Sequence, residues 1–417
     1  MVNFKKIISS DYQKTIVFNY LAIAVNVITG FILFPLILKY LGNENLAIFG
    51  IFYSIKSFVD IGVGWLSASI TKNILRYKYL KDTIFTFSFL INNLYGCVSF
   101  IIFLSYGYFV KNDFFISACF FGIFVALSFF VLPFYEMFIG NLEQSKVAFF
   151  RFLQQFLFFI ASVSIFYIKL EKSLDIIFEC LAISSIFIYF IVFFNYKNKY
   201  KIKFEFTHIN KVLINKIVLK DGKDIFLNAI LIISILQIDV LLLGCLYGTT
   251  SVAIYLIMWK VPNTIIMLGW RFSEPFSPIV SKQIKSDKNV AYYHFMVLEK
   301  KILLLAFIAS TSYLIFGEFI LGIWLGKENI PNMPFMYLAS SIVIFLSIIQ
   351  RLYISINFYT RDLNIVNIML LGELLCKIFF TIFLFWYFKE LSPIYGWAIS
   401  LIVIIFFYRR NACRVLK

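Results

Sequence analysis

Charge is scarce in this 417-residue sequence: Asp, Glu, Lys and Arg together make up 14% of it. Hydrophobic residues make up 61% and mean hydropathy is +0.88, which excludes an ordinary soluble globular domain. Cysteine is thin as well. The six present (Cys97, Cys119, Cys180, Cys245, Cys376 and Cys413) are scattered without a CxxC pair, so neither a disulfide framework nor a metal cluster is indicated. There are two histidines, His208 and His294, and no GxxxxGK[ST], HExxH or GxSxG arrangement. Without an ATP site, any pumping must draw on an ion gradient or on the membrane potential.

What is abundant is apolar sequence in windows of about 20 residues, the length that crosses a bilayer. These windows fall at 15-38, 46-68, 84-107, 114-138, 148-168, 174-195, 225-246, 252-271, 302-320, 335-355, 363-387 and 394-409. The expected fold class is an all-α polytopic membrane protein with about 12 transmembrane helices. The formal charge of +16 is explained by topology rather than by nucleic acid. With the N-terminus inside, the inward segments hold 29 of the 38 Lys and Arg, and the outward loops hold six. That bias predicts both termini in the cytoplasm. The start, MVNFKKIISS, has the basic flank of a signal peptide, but the apolar run continues to Leu38 and reads as an uncleaved first helix.

The longest polar stretch, 196-224, carries eight lysines and lies between the sixth and seventh windows. It divides the chain into an N-terminal six-helix lobe (1-195), a basic cytoplasmic linker and a C-terminal six-helix lobe (225-417). At an offset of 206, Gly42 with NENLAIF lies over Gly248 with TTSVAIY, which suggests a parallel repeat of the kind common in secondary transporters. The outward loops are short, the longest being about 321-334.

Six ionisable residues lie deep in the windows: Lys56, Asp60, Asp239, Lys260, Glu373 and Lys377. Each costs about 2.5 to 3.5 kcal/mol to insert, so each is a functional candidate. On the second window Tyr53, Lys56, Ser57, Asp60 and Gly64 share one helical face, either a cavity wall or a Lys56-Asp60 pair within a helix interface. Asp239 and Lys260 sit at similar depth on either side of the turn near Thr249, which allows an ion pair across that hairpin. Alternatively Lys260 faces a cavity with Asn263 and Arg271, beside a kink at Pro262. Glu373 and Lys377 have the favourable i,i+4 order for a structural pair, or else form a coupling-ion site. Asn19, Asn26 and Gly30 align on the first helix and either line the same cavity or pack against neighbours.

Three stretches resemble the Wzx-type polysaccharide flippases of the multidrug/oligosaccharidyl-lipid/polysaccharide (MOP) exporter superfamily. FPLILKYLGNENLAIFGIF (34-52) looks like that family's first hairpin. QIDVLLLGCLYGTTSVAIYLIMWKV (237-261) is similar to its seventh-to-eighth hairpin, and PFSPIVSKQ (275-283) to the cytoplasmic end of its eighth helix. The resemblance implies a MATE-like pair of lobes in the bacterial inner membrane. Its implied cargo is an oligosaccharide on undecaprenyl pyrophosphate, carried outward by alternating access for O-antigen or capsule synthesis, a step preceding lipopolysaccharide or capsule assembly. It also implies membrane lipids, a polysaccharide polymerase and chain-length proteins as partners, no cofactor, and H+ or Na+ as candidate coupling ions. The positions matching a pyrophosphate-binding cavity are Lys56, Lys260 and Arg271, with Asn26 and Asn263 as polar lining. The alternatives are a multidrug exporter of the same superfamily and a membrane glycosyltransferase or polymerase. The short outward loops argue against the enzyme.

Overall fold

The computed structural model describes residues 4–76, 80–168, 173–200, 204–205, 221–273, 288–326, 330, 335–360 and 363–416. The motif at 275-283 and most of 196-224 lie outside the described residues. Apolar windows in lipid must satisfy every backbone polar group internally, and the described chain accordingly is nearly all helix. In order these helices are α1 (Phe4–Arg76), α2 (Lys81–Phe109), α3 (Phe115–Phe130), α4 (Leu132–Gly140), α5 (Gln144–Tyr167), α6 (Leu174–Lys199), α7 (Asp221–Tyr247), α8 (Thr249–Ser273), α9 (Lys288–Leu325), α10 (Met336–Thr360), α11 (Leu363–Phe388) and α12 (Ser392–Leu416). Ten stretches among the described residues are long and apolar enough to cross a membrane, and two of these, Gln13–Gly62 and Asn364–Arg414, run to about 50 residues. At 1.5 Å per residue each of those two is long enough for two crossings. The protein is a multi-pass membrane protein.

The bends have local causes. Gly42 interrupts α1 with φ 86 and ψ 178, a backbone conformation essentially restricted to glycine. Gly248, between α7 and α8, has φ 87. The two glycines aligned at an offset of 206 therefore both have a positive φ, and a Cβ at either would meet nothing within 4 Å. The fourth apolar window is two helices, α3 and α4, parted at Val131 with Pro133 at the start of α4. Proline cannot donate to the preceding turn, which favours the break there.

The chain forms two compact units, Met1–Phe226 and Leu227–Lys417. In the first, α1 packs on α5, α2 on α3, and α6 on α3 and α5. Its core is aromatic: the rings of Phe52 and Phe121 lie 5.4 Å apart, and each lies within 4.9–5.8 Å of the rings of Phe103 and Phe178. In the second unit α12 packs on α10 and α11, and α10 on α8 and α9. Many large apolar side chains remain exposed, among them Ile101, Phe187, Phe316, Phe379 and Phe406, as a surface solvated by lipid requires.

Candidate functional site

The polar face expected on the second window divides by contact. Ser57 donates to the Tyr53 carbonyl at 2.9 Å, and the Tyr53 ring packs on Phe49 and Phe121, so these two residues are structural. Lys56 and Asp60 form an i,i+4 ion pair, and the Lys56 ammonium also lies 5.5 Å from the Phe124 ring centre. Both readings of this pair hold together, because Lys56, Asp60 and Gly64 also line a cavity of about 440 Å³ within the first unit.

The rest of that cavity comes from helices far away in sequence. The α3/α4 break contributes Ser128, Val131 and Tyr135, α5 contributes Arg151 and Gln154, and α6 contributes Ser185 and Tyr189. The α3/α4 junction at Val131, beside Pro133, which has no backbone donor, therefore lies on the cavity lining. Gln154 donates to the Ser185 hydroxyl at 2.8 Å, which in turn donates to the Leu181 carbonyl at 2.7 Å. The Arg151 guanidinium lies 5.7 Å from the centre of the Tyr135 ring. Lys56 and Asp60 neutralise each other, so Arg151 leaves the lining with one net positive charge. Arg151, at the start of the fifth apolar window, is not among the deep charges that the sequence pattern singles out. The available signal was its spacing of three from Gln154, which puts two polar side chains on one face of an apolar helix.

Asn26 and Asn19 are exposed on α1 and are not among the residues lining this cavity. In the second unit Lys260 and Asn263 are half-buried on α8, and Arg271 is exposed near its end. Pro262 lies inside α8 without ending it.

Two expected pairings are corrected by the structure. Asp239 does not go to Lys260 and Glu373 does not take Lys377 as its hydrogen-bond partner. Instead the Lys377 ammonium bonds Asp239 at 2.7 Å and the Ile235 carbonyl, and sits 4.3 Å from the Trp397 ring centre. Tyr255 donates to the same Asp239 oxygen at 2.6 Å. Glu373 accepts from Trp397 at 2.9 Å, from Tyr408 at 3.1 Å and from Gln350. Asp239, Glu373 and Lys377 are essentially inaccessible. The physical reason for the exchange is burial: a carboxylate and an ammonium with no access to water must each find partners in the packed interior, and the nearest lie on other helices. The resulting clamp joins α7, α8, α10, α11 and α12.

Outside the membrane windows, Glu143 between α4 and α5 collects Lys199, Lys146 at 3.1 Å and the Tyr200 hydroxyl at 2.8 Å. Burial pushes its carboxyl up, but the hydrogen bonds from Lys199, Tyr200 and Lys146 outweigh burial and hold it below the usual carboxylate value.

No protein-family model matches the sequence, and no curated protein matches it by sequence. Solved structures do match by fold. One is an inward-facing multidrug resistance MATE family transporter of the MOP superfamily, with a TM-score of 0.73 at 12% identity over 95% of this chain and 94% of that one. A second is the lipid II flippase MurJ in an inward closed conformation, with a TM-score of 0.68 at 14% identity over 96% of this chain and 87% of that one. A third, a MATE in complex with MaD3S, gives 0.65 at 13% identity over 97% of both chains. The chain thus has the MATE-like fold, in common with these MATE transporters and this lipid flippase.

Proposed function

We propose that the protein is a flippase that carries a lipid-linked oligosaccharide, on undecaprenyl pyrophosphate, from the cytoplasmic to the outer leaflet of a bacterial inner membrane for O-antigen or capsule synthesis. The observation that carries this reading is the cavity of the first unit. It combines a net positive charge from Lys56, Asp60 and Arg151 with hydroxyl and amide groups from Ser128, Gln154, Ser185 and Tyr189. A cation in a cavity of low effective dielectric binds a phosphate group far more strongly than in water, and the neutral polar groups suit a sugar. Lys260 and Arg271 are proposed as the corresponding cations of the second unit. Moving about two negative charges outward is downhill in an inside-negative potential, by roughly 4 to 5 kcal/mol per 100 mV.

The second reading is export of cationic amphiphiles. The Lys56-Asp60 pair favours it, since a neutralised lysine does not repel such cargo. Arg151 opposes it. Deleting the gene and extracting lipid-linked oligosaccharides separates the two. Loss of surface glycan, with completed units held on the cytoplasmic side, supports the flippase. Unchanged glycan and lipid intermediates, with raised drug sensitivity, support the exporter instead.

A further inference from the structure

Behind the wall of the first unit's cavity is a carboxyl group that sequence reading did not single out. Glu136 lies on α4 and has no exposed surface. The Ser88 hydroxyl of α2 donates to its Oε2. Asn92, one turn further along α2, donates to the Ser88 carbonyl at 2.9 Å and to its hydroxyl oxygen at 3.0 Å. The hydrogens therefore run in one direction, from Asn92 through Ser88 to Glu136. Two buried acceptors, Glu136 Oε1 and Asn92 Oδ1, are left with no donor, and the Tyr135 hydroxyl is buried without a partner beside them in the chain.

Among the described residues no lysine or arginine forms an ion pair with Glu136. The side chains of other helices close to its carboxyl are Ser67 of α1 and Ser88 and Asn92 of α2, all neutral. From α6, the phenols Tyr189 and Tyr196 pack against Phe134, two residues away. From α5, the Arg151 guanidinium lies over the Tyr135 ring and makes no ion pair with Glu136, and the remaining charges on the cavity wall are Lys56 and Asp60 of α1. A bare carboxylate in this setting is costly, and an orphaned amide oxygen in the same cluster adds to the cost. One proton on Oε1 removes the charge and supplies the missing donor.

We propose that Glu136 is a proton-binding site, a buried carboxylic acid that exchanges its proton with the cavity past Ser67 and Tyr135, both of which line it. A proton rather than a sodium ion follows from what is missing, which is a hydrogen between acceptors in a cluster closed to solvent. The site itself stands on this geometry alone. Its coupling to cargo rests on the anion reading above: an anion beside Arg151 favours the protonated acid, and by reciprocity proton uptake tightens anion binding.

The test is infrared difference spectroscopy of the purified full-length protein between neutral and alkaline pH, in H2O and D2O. The wild type should show the carbonyl stretch of a protonated carboxylic acid that shifts in D2O. Glu136→Gln should lose that band and Glu373→Gln should keep it. If Glu136→Gln fails to fold, Ser88→Ala removes the donor to Oε2 and should move the band. A band unmoved by either variant overturns the proposal, and so does one that sodium abolishes at constant pH, which would mark a cation site. Inorganic pyrophosphate added in weak buffer should cause proton uptake by the wild type and none by Glu136→Gln. A titratable Glu136 band without that uptake leaves the site standing and refutes the anion coupling.

Discussion

Replacing Lys377 with methionine tests the buried clamp of the second unit most directly. The side chains of Lys377 and Asp239 are 0% and 1% exposed, and the pair spans 2.7 Å between α11 and α7. Methionine fills most of the lysine volume, so the packing loss is small and the effect is electrostatic. What remains for the Asp239 carboxylate is the Tyr255 hydroxyl at 2.6 Å. Removing one partner of a buried pair typically costs about 3 to 5 kcal/mol. For a domain of this size, roughly 2 to 4 °C per kcal/mol converts this to a fall in Tm of about 6 to 20 °C. Asp239→Asn should cost a similar amount, because it strands the ammonium. The double variant Asp239→Asn/Lys377→Met should recover much of the loss, since no charge is then buried alone. Thermal unfolding of the detergent-purified protein, followed by tryptophan fluorescence and gel filtration, reads all three. A Lys377→Met variant within about 2 °C of wild type, or a double variant whose loss is the sum of the single ones, would refute the reasoning, as the pair would then not be buried and coupled as described.

The cavity makes a separate forecast: Arg151→Ala should weaken binding of inorganic pyrophosphate about tenfold or more, as expected for loss of a charge-assisted hydrogen bond, with Arg151→Lys intermediate, measured by calorimetry. In the second unit, Lys260→Ala should abolish leaflet transfer of the lipid-linked substrate while Lys260→Arg retains part of it, and full transfer by a well-expressed Lys260→Ala removes that lysine from the site. Gly42→Ala should destabilise by about 1 to 3 kcal/mol through backbone strain alone, because its Cβ meets no neighbour, and Gly248→Ala should also destabilise; both are read as a drop in Tm. The Glu143 cluster should show a pH signature. Its folded carboxyl is depressed, so its contribution is complete above the ordinary carboxylate value of about 4.3 and is lost as pH falls through the lower folded value. The stability gap between wild type and Glu143→Gln should therefore be present at neutral pH and close in acid; a gap that persists at the lowest accessible pH contradicts the assignment.

The helical membrane fold, the long apolar helices and the positive-φ glycines Gly42 and Gly248 were legible in the sequence, because these follow from local properties. An apolar run of membrane length must satisfy its own backbone hydrogen bonds, and a positive φ calls for glycine. The sequence also located Lys56 and Asp60 on one face, since helical period is local and their pair needs only one helix. What tertiary structure decided is which charges meet. Lys377 lies 138 residues from Asp239 and four from Glu373, yet it pairs with Asp239. Spacing along one helix gives no account of that, because in a closed interior the partner is whichever opposite charge the neighbouring helix brings within reach. For the same reason Arg151, unremarkable in the linear chain, joins Lys56 and Ser67 at one cavity, and Glu136 comes to lie behind its wall beside Ser67, only once α4 and α5 pack against α1.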